Sequence, residues 1–246
     1  MTRMKLAGVA IMVISAVSPL PAQSTVRAKR DGILINQSDK NGVSVRRGNE
    51  PVVQGSGNVV RQQRRAGKFS TIKMSGPAHL DVVVGKAASV ELSADDNLMP
   101  MLETRIENGA LVHEVKGSFS TRTTPRLRVT VPQLSGVHLA ASGDVRITGV
   151  NGGRLNLTSN GSGDFVVQGH ADALKAQLNG SGNFDLTRFR APDLTVAIYG
   201  SGNARVHATE RLDASIFGAG EIAYSGDPQR LNRQVYGSGR ITKVGR

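Results

Sequence analysis

Cysteine is absent from the 246 residues. Disulfides, thiolate catalysis and cysteine-ligated zinc are therefore excluded, as is the lipid-carrying cysteine of a bacterial lipoprotein. Tryptophan is missing too, and aromatics make up only 4%, which leaves little material for helices packed through large side chains. Beyond the N-terminal region no run of about 20 apolar residues occurs, so the body of the chain has no membrane-spanning helix. The five histidines (His79, His113, His138, His170 and His207) show neither HxH nor HExxH spacing, so no metal motif is written locally. Nothing in the motifs implies a cofactor or a catalytic triad. Negative charge is also scarce, with Asp+Glu 19 against Lys+Arg 31 and a net charge of +12.

That positive charge is spread along the chain, and only Arg61, Arg64, Arg65 and Lys68 form a dense cluster. A distributed positive field attracts anionic surfaces such as lipopolysaccharide or acidic glycans, and it also keeps a protein soluble. Nothing in it implies specific nucleic-acid recognition.

Residues 1–22 have the three parts of a secretory signal. Arg3 and Lys5 precede an apolar run over residues 6–17, and Pro19, Pro21 and Ala22 follow. The expectation is export, cleavage near Ala22, no membrane span afterwards, and a periplasmic, secreted or surface location. Residues 23–58, rich in Gln, Asn, Ser, Arg and Gly with short apolar clusters at 33–35 and 43–45, read as a flexible leader or linker with at most one stray strand.

Glycine is what the chain has in excess, 29 residues against an ordinary share near ~7%. A Gly-Ser/Ala-Gly tripeptide recurs at 161–163, 180–182, 200–202, 218–220 and 237–239, after a degenerate Ala141-Ser142-Gly143. The closing glycines Gly143, Gly163, Gly182, Gly202, Gly220 and Gly239 stand 20, 19, 20, 18 and 19 residues apart. Between them apolar residues alternate, as in Leu174/Ala176/Leu178, Leu194/Val196/Ile198 and Leu212/Ala214/Ile216, then Phe184/Leu186, Ala204/Val206 and Ile222/Tyr224. Period two is the strand signature. One such coil buries too few apolar groups to offset the ordering of its backbone, so coils must stack and share a core.

The predicted fold is all-β. A right-handed parallel β-helix or solenoid with coils of 18–20 residues occupies residues 141–246. A less regular N-terminal β-section over residues 59–140 precedes it, continuous with the coils. Leu127, Val129 and Val131 alternate there, and Asn108-Gly109 marks a hairpin turn. Glycines are expected at the corners for their positive φ. Arg233 and Lys243 fall on inward positions of the last coil and read as a charged stop to further stacking.

Two columns follow from the stacking. Asp144, Asp164, Asn183, Asn203 and Glu221 share the offset after the tripeptide, with Arg240 next. Asp and Asn suit turns through local hydrogen bonds. Paired carboxylates one coil apart also admit glycan cleavage. The second column precedes the tripeptide: Asn160, Asn179, Tyr199, Phe217 and Tyr236. It reads either as a ladder that stiffens the turn or as an exposed strip for a glycan or protein partner.

Several segments together resemble the bacterial GIN domain family, the head domain of an auto-transporter adhesin. They are Gly55-Ser56-Gly57-Asn58, the stretch from Phe69 through Ile72 and Met74 to Gly76, Asn108-Gly109-Ala110-Leu111, the stretch from Leu127 to Pro132, and the repeated Gly-Ser-Gly-Asp/Asn coils. Pro77 and Ala78 depart from the family's Ser-Gly-Ser-Gly tendency. The resemblance implies an exported β-helical protein with no catalytic residues to carry over. The functional expectation is a non-catalytic binding or adhesion module of the envelope whose partner is a glycan, lipopolysaccharide or a surface protein. The alternatives are a carbohydrate-active lyase or hydrolase on the same scaffold, or a structural homo-oligomer.

Overall fold

The computed structural model of the chain describes residues 33–38, 42–140 and 142–245. The signal read over residues 1–22 lies outside them, and so does Ala141.

Each alternating segment forms a strand, and each coil gives one strand to either of two sheets. Asp193–Gly200 belongs to a nine-stranded first sheet, and the next strand, Asn203–His207, to an eleven-stranded second sheet. Arg211–Gly218 and Glu221–Ser225 repeat the pattern one coil on. In the first sheet the coil strands stack in parallel with unbroken register, so Leu174, Leu194 and Leu212 form one column and Leu178, Ile198 and Ile216 another. The chain is nearly all β, with a solenoid of about five turns in its C-terminal part. The inward side chains of both sheets merge in one hydrophobic core reaching from Val45 and Phe69 to Tyr224.

The corner glycines are needed for a reason other than the one the sequence suggested. Gly163, Gly182, Gly202 and Gly220 do not have positive φ. A Cβ on any of them would overlap the carbonyl oxygen of the closing glycine one coil earlier, because the corners stack backbone on backbone. Positive φ belongs instead to opening glycines such as Gly200 (144°) and Gly218 (145°).

The N-terminal section shares the core but departs from sequence order. Strands Thr71–Ser75 and His79–Val84 lie between the rung made by Ala110–Val115 and Arg126–Val131 and the rung made by Gly136–Ala140 and Val145–Asn151. The later segment 110–131 thus stacks beneath the earlier one, a long-range pairing with no periodic signal. The Asn108-Gly109 hairpin turn is as read, both residues having positive φ (48° and 72°).

The reading of residues 23–58 as a leader is corrected for its described part. Ile33–Ser38, Gly42–Arg47 and Val52–Gln54 join Ser118–Thr121 in a four-stranded sheet. Val43 and Val45 are buried in it, so two apolar residues at alternate positions were enough to anchor a strand.

Candidate functional site

The aromatic column forms on the outer side of the first sheet. Tyr199, Phe217 and Tyr236 each follow an inward aliphatic residue, so the pleat turns them outward, and the parallel register sets them one above another. Tyr199 and Phe217 stack with centroids 4.8 Å apart and planes 3° apart, Phe217 and Tyr236 at 5.0 Å and 10°. All three are exposed, Tyr236 most at 60%. The column continues downward with Asn179, whose Nδ2 donates to Asn160 Oδ1 at 2.6 Å. This geometry changes what the column offers. Ring faces cover one another along the stack, so the strip presents ring edges and the phenol hydroxyls of Tyr199 and Tyr236. The outer face of Tyr236, on the last coil, is covered by no further ring of the stack.

The turn column is brought together as well, with one oxygen of each aspartate engaged by the next coil. Asp144 Oδ1 accepts from the Asp164 N–H at 3.2 Å, and Asp164 Oδ1 accepts from the Asn183 N–H at 2.9 Å and Asn183 Nδ2 at 2.8 Å. Asn203 Nδ2 donates to Asn183 Oδ1 at 2.9 Å. Glu221 accepts from Arg240 and Thr242, both at 3.2 Å, and the arginine bond holds its carboxyl below the usual carboxylate range. Asp144, Asp164, Asn183 and Glu221 each secure the next coil, and Asn203 binds back to the one before.

The basic cluster divides. Arg61, Arg65 and Lys68 are exposed. Arg64 turns inward, where Nη2 donates to the Met99 and Leu102 carbonyls at 3.2 and 3.3 Å, and burial lowers its pKa. It braces the short helix Asp96–Met101 against the sheet. A sequence shows neighbours along the chain, but a strand sends alternate ones to opposite sides.

Arg146 and Arg205, on the outer face of the second sheet, and Arg188, in the turn between its strands Asn183–Leu186 and Phe189–Arg190, carry no signal of their own along the chain. Arg146 and Arg188 line a cavity of about 300 Å³ with Gln168, Asp185 and Thr187. The one available signal was the uneven repeat length, since irregular spacing marks bulges. Among the described residues no three His, Asp or Glu side chains group as a metal site, and no helix is long and apolar enough to cross a membrane.

Residues 68–228 match the family model described as "Putative auto-transporter adhesin, head GIN domain". The chain belongs to this family. Solved structures with the GIN-domain fold include an adhesin, named as putative, from Bacteroides fragilis. It is 22% identical with TM-score 0.66, over 78% of this chain and 100% of that one. A similarly named protein from Parabacteroides distasonis is 20% identical with TM-score 0.58, covering 79% and 100%. Another from Parabacteroides merdae is 23% identical with TM-score 0.53, covering 78% and 98%. No curated protein matches the sequence. Within the GIN domain, the matched segment contains Tyr199 and Phe217 but stops short of Tyr236 and the last coil.

Proposed function

We propose that this GIN-domain protein is an exported, non-catalytic adhesion module of the bacterial envelope that holds a partner along its aromatic strip. The observation that carries the reading is the exposed stack of Tyr199, Phe217 and Tyr236. Aromatic side chains left in water are unusual in a chain with so few of them, and stacking fixes them at little further entropy cost, which suits a binding surface. Because the strip offers ring edges and hydroxyls, a protein surface fits it better than the flat face of a sugar ring. The adhesin names of the structural relatives support the class of function, and the apolar segment at residues 6–17 supports export. The commitment of Asp144 and Asp164 to neighbouring backbone N–H groups favours binding over glycan cleavage.

The test compares wild type with Tyr199→Ala/Tyr236→Ala for retention on immobilised bacterial envelope fragments by surface plasmon resonance. Retention is expected to fall by about tenfold, with the unfolding midpoint nearly unchanged because both rings are exposed. Equal retention of the two proteins rejects the strip as the site.

A further inference from the structure

The second sheet carries a feature independent of the aromatic strip. Strand Phe165–His170 follows Val145–Asn151 in register through Ile147↔Val167 and resumes at Val150↔Gly169, so Thr148 and Gly149 face the single residue Gln168. On its other side the strand pairs Val166↔Asp185 and resumes at Gly169↔Phe189, setting Leu186, Thr187 and Arg188 against Val167 and Gln168. Two bulges therefore flank one segment. Extra residues bend a sheet and re-aim its outward side chains, and here they open the 300 Å³ cavity. Asp185 is shared with an adjoining cavity of about 560 Å³ lined by Asn183, Asn203, Arg205 and Glu221. The two form a groove across successive coils, its second part also lined by Phe184, Ala204, Ala223 and Val244.

Three arginines meet at this groove, Arg146 and Arg188 in its first cavity and Arg205 in its second. Some outward arginines find carboxylates, as Arg126 with Asp81 at 2.6 Å, Arg211 with Asp213 at 2.6 Å and Arg105 with Glu114 at 2.7 Å, whereas scattered ones such as Arg61, Arg65, Arg154 and Arg230 form no ion pair among the described residues. Arg146, Arg188 and Arg205 have no ion pair and no side-chain hydrogen bond among the described residues. Asp81, in register with Arg146, is already held by Arg126. Asp185 spends Oδ1 on the Thr187 N–H at 3.1 Å and hydroxyl at 2.6 Å. Thr187, then Arg205 and Arg188, hold its carboxyl below the usual range, so it stays ionised.

We propose that this groove binds a saccharide bearing an isolated anionic group, a carboxylate or a phosphate. Arg146 and Arg188 take the anion, and Gln168 and Asp185 take the hydroxyls. Guanidinium forks match both oxyanions. The carboxylate of Asp185 repels a second negative charge beside the first and accepts from a sugar hydroxyl. That favours a sugar with spaced charges over a nucleic acid. The cavity size is that of a small-molecule site.

Isothermal titration of the full chain at low salt tests this with three probes: a galacturonic acid tetramer, glucosamine 1-phosphate and neutral maltotetraose. At least one anionic probe is expected to bind at least tenfold more tightly than maltotetraose, and which one does so identifies the source of the anion. Arg146→Gln/Arg188→Gln is expected to lose at least tenfold of that affinity, while Arg61→Gln/Arg65→Gln, with the same change in net charge, and Tyr199→Ala/Tyr236→Ala keep it. Equal losses in both arginine pairs mean diffuse attraction to a basic protein and overturn the proposal, as does binding of neither anionic probe. The aromatic-strip reading stands or falls separately, because its variant leaves the groove intact.

Discussion

At Gly182 an added methyl group would strike the Gly163 carbonyl, with backbone on both sides of the contact. Neither partner is the movable end of a side chain, so the coils must part to accommodate it. Gly182→Ala is expected to cost about 1–3 kcal/mol or more, read as a lower urea midpoint. Gly245→Ala, with nothing within 4 Å, serves as the neutral comparison. His113 shows a second effect at this scale. It is fully buried in the rung below Thr71–Ser75, and burial lowers its pKa from 6.5 to about 4. Above pH 6.5 both folded and unfolded chains hold it neutral. As pH falls from there, the unfolded chain takes up a proton that the folded chain refuses until about pH 4. Stability is therefore lost across that window, on the order of 3 kcal/mol in all. Urea titrations between pH 7 and 4 are expected to show this decline, with a shallower one for His113→Gln. Equal slopes in the two proteins would show that other groups govern the acid transition.

At the scale of the element, Arg230–Tyr236 is the terminal strand of the first sheet. Its inward positions continue the core columns: Leu231 follows Leu212, Arg233 follows Ala214 and Val235 follows Ile216. Leu231 and Val235 remain 40% and 41% exposed. A charge between two apolar residues keeps such an edge from pairing with another copy. Arg233→Leu is expected to produce a mass that rises with concentration in light scattering, while wild type does not change. A variant with no such rise would show that the arginine has no gating role. The sequence made this element legible, because Arg233 puts a charge at the position that Leu157, Ala176, Val196 and Ala214 hold in the earlier coils. It made the turn and aromatic columns legible for the same reason, since residues at equal offsets must align when coils stack in parallel. The groove on the second sheet was not legible. Arg146 and Arg188 sit at unrelated offsets, and only the bulges at Thr148–Gly149 and Leu186–Arg188 carry them to one cavity.

At the scale of the whole molecule, the strands after residue 136 stack in chain order, while the rung at residues 71–84 sits between two rungs that follow it in sequence. Nothing periodic announces this, because the choice rests on which apolar faces complete a common core rather than on a local pattern. The same holds for Gly42–Arg47, whose partner Ser118–Thr121 lies more than 70 residues away. The sequence by itself determined the all-β class, the solenoid, its corners and its columns, since a period of 18–20 residues repeats one local problem with one local solution. Only the tertiary structure decided the order of the early rungs, the inward turn of Arg64, the edge-on display of the stacked rings and the groove of unpaired arginines. Those depend on contacts between segments far apart in the chain, where several pairings satisfy the local pattern and the shared core selects one.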